Sequence, residues 1–381
     1  KKPENYEELR YTSEEKQNYM IAMLKIYRIF SDEMYKLYTE ISKYMSDIKE
    51  QEIMDDIKFL RIECICQYSD ATIQAFKIQH ENNQYNFNGT FNTLTIYKEE
   101  ILKLPKLDLH CHLDGSLSQS FLESTLGRKF SMDELSVSME CSSLVEYLEK
   151  FDIPLSAMNS RENIEQATID VMRSAAEENV RYIEIRFAPL LSVTDSLSTE
   201  DVIESVISGL KEGYRLYDIY GNAICCAMTH HDIEASKSMF KIAREYYKAG
   251  VVGLDLAGDE ANHPIKEFSE LFKYAKDLGM NFTIHAGEAG PKSNIEGAIE
   301  YGAKRIGHGI AMRYDEKLLK LAKDRHIGIE MCPISNYQTK AVGKKDIYPY
   351  SDYIKRGLLA TVNTDNRLVS NTSITDEILF L

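Results

Sequence analysis

After residue 104 the chain carries eight short apolar runs: KLDLHCHL (106–113), VRYIEIRFA (180–188), NAICCAMTH (222–230), GVVGLDLAG (250–258), NFTIHAG (281–287), KRIGHG (304–309), IGIEMCP (327–333) and LLATVNTD (358–365). Between them lie stretches such as HPIKEFSELFKYAKDLGM and DEKLLKLAKDRH, whose apolar residues recur at helical spacing and which often end near a glycine. Strand–helix alternation repeated eight times restricts the chain to the α/β class. It predicts a (β/α)8 TIM-type barrel, in which functional residues stand at the C-terminal ends of the strands. The last helix is expected to begin near Ser373. The few residues from there to Leu381 are too short to cover the eighth strand, so the barrel is expected to lack its last helices.

The N-terminal part has a different texture. From Glu14 to Gln79 there is no Gly or Pro, and apolar residues such as Met20, Met23, Leu24, Tyr27, Ile29 and Phe30 fall at three-to-four spacing, which predicts two or three amphipathic helices. The Asn-rich stretch ENNQYNFNGTFN reads as a linker or packed loop. Residues 1–100 are therefore expected to be an added helical segment of unassigned role, and residues 101–381 the barrel. Cys64 and Cys66, two apart in a helical stretch, point to different faces and are expected to be core thiols rather than a metal pair.

Charge and cysteine content narrow the partners. The net charge of −15 over 381 residues repels a phosphate backbone, so nucleic-acid binding is not expected, whereas a small neutral or cationic ligand fits. Seven scattered cysteines read as reduced thiols and predict a cytoplasmic protein. The polar opening KKPENYEELRYTSEEKQNYM has neither a signal-peptide core nor a membrane span, and no later stretch reaches a membrane-spanning apolar length. The sequence leaves the oligomeric state open.

Ionisable residues at strand ends need an explanation, because barrel strands are apolar where they face the core. His110 and His112 are two apart on the first strand, so both point the same way. His285 is expected to end the fifth strand, His308 the sixth and Asp365 the eighth. Three imidazoles and a carboxylate, with a position left for water, are what a catalytic zinc-like cation takes. Glu288, three residues beyond His285, would stand over the same mouth as a proton donor. Arg186 is expected to be a structural ion-pair partner. His80, His263 and His326 carry no expected role, while His230 or His231 is expected to help shape the mouth.

The ordered motifs LDLHCHLDGSL, EIRFAP, LDLAGDE, TIHAGE, RIGHG and TVNTD resemble the adenosine deaminase family of the metal-dependent amidohydrolase superfamily, over about residues 104–381. The resemblance implies one Zn2+ per chain on His110, His112, His285 and Asp365. Glu288 would protonate purine nitrogen 1. His308 would orient or deprotonate the attacking water, and Asp365 would also accept a hydrogen bond from it. His112 and Asp114 would touch the substrate, Asp114 at a ribose hydroxyl, where related adenine deaminases resemble one another in carrying Glu. Gly258 would let the backbone approach nitrogen 3. Leu144, Tyr147, Leu148 and Phe151, a helix stripe, would cover the purine.

One position departs from the family pattern. Many members have two successive Asp in the last motif, and here the pair is Asp365-Asn366. Nitrogen 7 is an acceptor, and an Asn amide can donate to it at any pH. The expected reaction is hydrolytic deamination of adenosine and 2′-deoxyadenosine to inosine and 2′-deoxyinosine plus ammonia, in purine salvage. The alternative is adenine or another 6-aminopurine derivative as substrate.

Overall fold

The computed structural model describes residues 98–141 and 144–381. Apart from helical backbone at 98–100, the segment expected over 1–100 lies outside the described residues, and with it Cys64, Cys66 and His80. Lys106–Glu377 form one compact unit.

Its eight strands are β1 (Lys106–His112), β2 (Val180–Phe187), β3 (Tyr220–Met228), β4 (Val251–Ala257), β5 (Thr283–Ala286), β6 (Arg305–His308), β7 (Gly328–Met331) and β8 (Leu359–Val362). The helices are α1 (Gln119–Leu126), α2 (Met132–Leu135), α3 (Leu144–Leu148), α4 (Asp152–Ala157), α5 (Arg161–Glu177), α6 (Thr199–Tyr217), α7 (Ile233–Glu245), α8 (Ser269–Asp277), α9 (Lys292–Tyr301), α10 (Glu316–Asp324), α11 (Pro333–Gln338), α12 (Tyr350–Arg356) and α13 (Ile374–Phe380). Short 3-10 turns lie between several of them. Each apolar run of the sequence supplies one strand, trimmed by up to three residues at an end, except that β3 begins two residues before its run, at Tyr220.

Strands β1 to β4 pair in parallel in chain order, and so do β5 to β8. Two seams join these halves. Leu254 of β4 pairs with Phe282, its N–H donating to the Asn281 carbonyl at 3.0 Å. Cys111 of β1 pairs with Asp365, where His112 N donates to Asp365 O and Asp365 N donates to His110 O, each at 2.7 Å. The result is the closed eight-stranded α/β barrel expected from the alternation.

The period of two along each strand sorts side chains between wall and interior. On β2, Ile183, Ile185 and Phe187 are buried on one side, while Arg186 crosses the interior between Asp255 (2.8 Å) and Glu330 (2.6 Å), with no exposure. Helix starts are capped locally. Ser160 accepts from Asn163 N ahead of α5, Ser198 and Asp201 form a capping box on α6, and Asp232 caps α7. Each such cap contributes about 1 kcal/mol. Cys111, Cys141, Cys225, Cys226 and Cys332 are buried, and no disulfide joins them. No helix among the described residues is long and apolar enough to cross a membrane.

Two strand ends differ from simple extended geometry. His308 closes β6 with φ 64°, and Asp365 stands three residues beyond β8 with φ 59°. Left-handed backbone at a non-glycine residue costs of order 1–3 kcal/mol. Here it turns both side chains off the wall and into the mouth. Asp108 helps hold that turn, accepting from Thr364 Oγ1 at 2.6 Å.

Candidate active site

Four donor atoms converge at the C-terminal mouth of the barrel. His110 Nε2 and His112 Nε2 each lie 3.1 Å from His285 Nε2. Asp365 Oδ1 lies 3.2 Å from His110 Nε2 and 3.4 Å from His112 Nε2. His110, His285, His308 and Asp365 also offer ligand atoms within 4.8 Å of one another, so His112 and His308 both border the cluster.

The far side of two rings decides what these atoms can hold. His110 Nδ1 meets Glu330 Oε2 at 2.9 Å, and His285 Nδ1 meets Asp255 Oδ2 at 3.0 Å. A carboxylate only accepts, so the Nδ1 atoms carry the hydrogens and the Nε2 lone pairs face each other. Lone pairs and a carboxylate oxygen at such separations repel unless a cation lies among them. The donor set therefore fits a divalent ion of the zinc class. Burial, aided by Arg186, lowers the His110 pKa to about 4, and burial holds that of His112 well below the usual imidazole value, which keeps both rings neutral and able to ligate. Burial also works against charge on His285, but the Asp255 carboxylate outweighs it and raises that pKa. Burial likewise opposes ionisation of Asp365, yet the hydrogen bond and charge of His110 keep its carboxyl well below the usual range.

Glu288 is set by a separate device. The Glu260 carboxylate accepts from the backbone N–H groups of Gly287 (2.9 Å), Glu288 (2.5 Å) and Ala289 (2.8 Å), and from Asn294 Nδ2 (3.1 Å). That clamp fixes the loop after β5. Glu288 Oε1 accepts from Thr339 Oγ1 at 2.9 Å and Asn336 Nδ2 at 3.2 Å, while Oε2 lies 3.5 Å from His308 Nε2. Burial raises the Glu288 pKa, so its carboxyl tends to keep a proton. Ser335 Oγ donates to Asp365 Oδ2 at 2.6 Å. Helix α11 thus touches both acids of the mouth.

A cavity of about 500 Å3 opens above these groups. His112, Asp114, Tyr147, Leu148, Phe151, Gly258, His285, Glu288, His308, Asp365 and Asn366 line it. His110 lies beneath. The side chain of Leu144 lies outside the described residues. Asp114 is 7% exposed, its Oδ1 has no partner in the described structure, and burial raises its pKa to about 6. Gly258 has φ 114°, and a Cβ there would come within 2.5 Å of Thr229 Oγ1, so this wall requires glycine.

Asn366 is more constrained than its sequence position suggests. Its Nδ2 donates to Tyr147 Oη at 3.0 Å, and that hydroxyl lies 2.6 Å from Ser370 Oγ. Tyr147 therefore lines the cavity and also orients Asn366. Gly115 makes room for it, since a Cβ at 115 would fall 1.9 Å from Asn366 Oδ1.

The sequence did not single out Asp255, Glu330, Glu260, Asn336 or Thr339. The first two had a visible signal, because each places an acid inside an apolar strand run, where a charge needs a partner. His263, expected to be uninvolved, borders the cavity together with His230. Among the described residues no Lys or Arg lines the cavity, whereas Asp152 and Asp259 join Asp114 and Glu288 there.

Residues 105–380 match the model of the adenosine deaminase family. An adenosine deaminase of Clostridium botulinum (strain Okra / Type B1) is 42% identical over 290 residues, covering 73% of this chain and 87% of that one. The crystal structure of the N6-mAMP deaminase of Arabidopsis is similar at a TM-score of 0.63 and 29% identity, over 73% of this chain and 87% of that one. The adenine deaminase structure from Arthrobacter aurescens, 22% identical with a TM-score of 0.65 over 71% of this chain and 85% of that one, shares the fold. The chain belongs to the adenosine deaminase family, metal-dependent hydrolytic deaminases of small-molecule nucleoside substrates.

Proposed function

We propose that this chain deaminates adenosine and 2′-deoxyadenosine to inosine and 2′-deoxyinosine plus ammonia, as a step of purine salvage. The observation that carries the reading is the convergence of three imidazole Nε2 atoms and Asp365 Oδ1 beside the largely buried Glu288 carboxyl, whose pKa desolvation raises. His110, His112, His285 and Asp365 would hold a Zn2+ ion. His112 is preferred to His308 as a ligand because its Nε2 sits 3.1 Å from that of His285, whereas His308 Nε2 faces Glu288. When bound, the ion supplies the Lewis acidity that brings water ionisation towards neutral pH.

The chain's own residues then divide the work. Glu288 donates its proton to purine nitrogen 1, which makes carbon 6 electrophilic. His308 and Asp365 flank the attacking water. Water adds at carbon 6, and the amino group leaves as ammonia. The Oδ1 atom of Asp114 accepts from a ribose hydroxyl, Gly258 lets the backbone approach nitrogen 3, and Asn366 serves nitrogen 7 with its second amide hydrogen. Tyr147, Leu148 and Phe151 cover the ring, and the same stripe of α3 carries Leu144.

Two features favour a nucleoside. A free base would leave the buried Asp114 Oδ1 without a partner, which costs about 1–3 kcal/mol. A 5′-phosphate would enter a cavity lined, among the described residues, by carboxyl groups and by no Lys or Arg.

Ultraviolet absorbance with adenosine, 2′-deoxyadenosine, AMP and adenine, before and after chelation, tests this together with metal analysis. Chelator-sensitive turnover of the two nucleosides at about one zinc per chain is expected. Preferential turnover of AMP or adenine would overturn the substrate assignment.

A further inference from the structure

Asn336 lies on α11 between the two groups that the deaminase reading puts to work. Its Oδ1 accepts from Tyr348 Oη at 2.7 Å. Its Nδ2 stands 2.9 Å from His308 Nδ1 and 3.2 Å from Glu288 Oε1. Asn336 is fully buried, and His308 and Tyr348 are 1% and 6% exposed, so bulk water does not substitute for these contacts.

An Asn amide has one acceptor oxygen and two hydrogens. Tyr348 takes the oxygen. The two hydrogens then point at His308 Nδ1 and Glu288 Oε1, and both atoms must accept. In a neutral imidazole whose Nδ1 accepts, the hydrogen sits on Nε2, the nitrogen that faces Glu288 Oε2 at 3.5 Å. Turning the amide over would aim Oδ1 at His308 Nδ1 and Glu288 Oε1 together, which is favourable only if both carried hydrogens. Tyr348 argues against that, since its buried hydroxyl has no other acceptor among the described residues and its hydrogen would then be left without one.

We propose that Asn336 is a positioning residue of the proposed deaminase: it holds His308 in the Nε2–H tautomer and pins Glu288 by Oε1, so that Oε2 is the oxygen left to carry a proton to the substrate. This rests on the functional reading above. It also separates the two roles open to His308. A ring that presents N–H to the mouth can orient the attacking water through its oxygen, and has no lone pair there with which to deprotonate it. Tyr348 belongs to the same device, because its hydroxyl fixes which way the amide faces.

The test uses the full zinc-loaded chain with 15N-labelled histidine. Two-bond 1H–15N correlation spectra report each imidazole tautomer, and the His308 signals are those lost in His308→Gln. The Nε2–H pattern is expected in the unaltered chain, and the Nδ1–H pattern would overturn the proposal. Asn336→Asp replaces both donors by acceptors. It is expected to lower kcat on the order of 10²-fold, with KM for adenosine changed less than about threefold and zinc content unchanged. Its His308 should shift towards Nδ1–H. Wild-type kcat in folded Asn336→Asp, or a loss confined to KM, would overturn the role.

Tyr348→Phe is the second variant, should Asn336→Asp fail to fold. It keeps Asn336 and frees the amide to turn, so a mixture of tautomers and a several-fold lower kcat are expected, and an unmixed Nε2–H spectrum with unchanged kcat would count against the device. Failure of the functional reading looks different. The unaltered zinc-loaded chain would then deaminate no nucleoside, whatever tautomer His308 shows.

Discussion

Glu330 Oε2 stands 2.9 Å from His110 Nδ1 and so sets which nitrogen of that ring faces the cation site. The same oxygen receives Arg186 Nη2 at 2.6 Å, and Arg305 Nε meets the other oxygen at 2.5 Å. One buried carboxylate therefore serves both the proposed zinc ligand and the ion pairs that fill the barrel. Burial opposes its ionisation, but the two guanidinium groups hold its pKa well below the usual range.

Glu330→Gln should act on both links. A neutral amide accepts less strongly from His110, so zinc affinity should fall about 10–100-fold, measured by chelator competition. Arg186 and Arg305 would lose a buried counter-charge, and stability should fall by roughly 3 kcal/mol in urea titration. Unchanged zinc affinity would detach Glu330 from the metal site.

Glu288→Gln keeps the shape of the loop that Glu260 clamps through three backbone N–H groups. It removes the ionisable carboxyl, whose pKa desolvation raises. Turnover should fall about 10²–10⁴-fold while zinc content and nucleoside binding persist. Steady-state kinetics with a binding titration on the same sample checks this, and wild-type-like turnover would remove Glu288 as the acid.

The elements that were legible in the sequence are those whose signal is local. Eight apolar runs between helical stretches give eight parallel strands because a barrel strand is buried on both sides and must be continuously apolar. His110 and His112 reveal their common direction through spacing alone. Asn336 was not legible. Its importance comes from Tyr348 on one side and from His308 and Glu288 on the other, contacts that only the closed barrel creates. Asp365 was placed at a strand end, and its left-handed backbone past β8 was hidden because TVNTDN contains no glycine to announce it. The acids Asp255 and Glu330 stood in plain view within apolar runs. Arg186 is legible as an ion-pair residue, but its partners Asp255 and Glu330 come together only in the closed barrel.

Asp114→Ala separates nucleoside from base. The carboxyl lines the cavity with Oδ1 unpartnered, so a ribose hydroxyl is the contact proposed to satisfy it. Its removal should raise KM for adenosine by about tenfold, the size of one lost hydrogen bond to a carboxyl. KM for adenine should change little. Equal effects on both substrates would remove the ribose contact.

Asn366 is the group proposed to hold the purine's five-membered ring. One amide hydrogen is already given to Tyr147 Oη at 3.0 Å, and Gly115 leaves space for the oxygen. Only one hydrogen is left for nitrogen 7. Replacing Asn366 by Ala removes that donor and also frees the Tyr147 hydroxyl, which still has Ser370 at 2.6 Å. Adenosine kcat/KM should fall about 10-fold or somewhat more. The 7-deaza analogue lacks the acceptor, so the unaltered chain should lose a similar factor with it. A nitrogen 7 contact makes the two losses non-additive: once the analogue is used, Asn366→Ala should cost little more, measured as kcat/KM or as an inhibition constant where turnover is too slow. Additive losses would show that Asn366 acts through Tyr147 and the cover of the cavity, with nitrogen 7 held by another group.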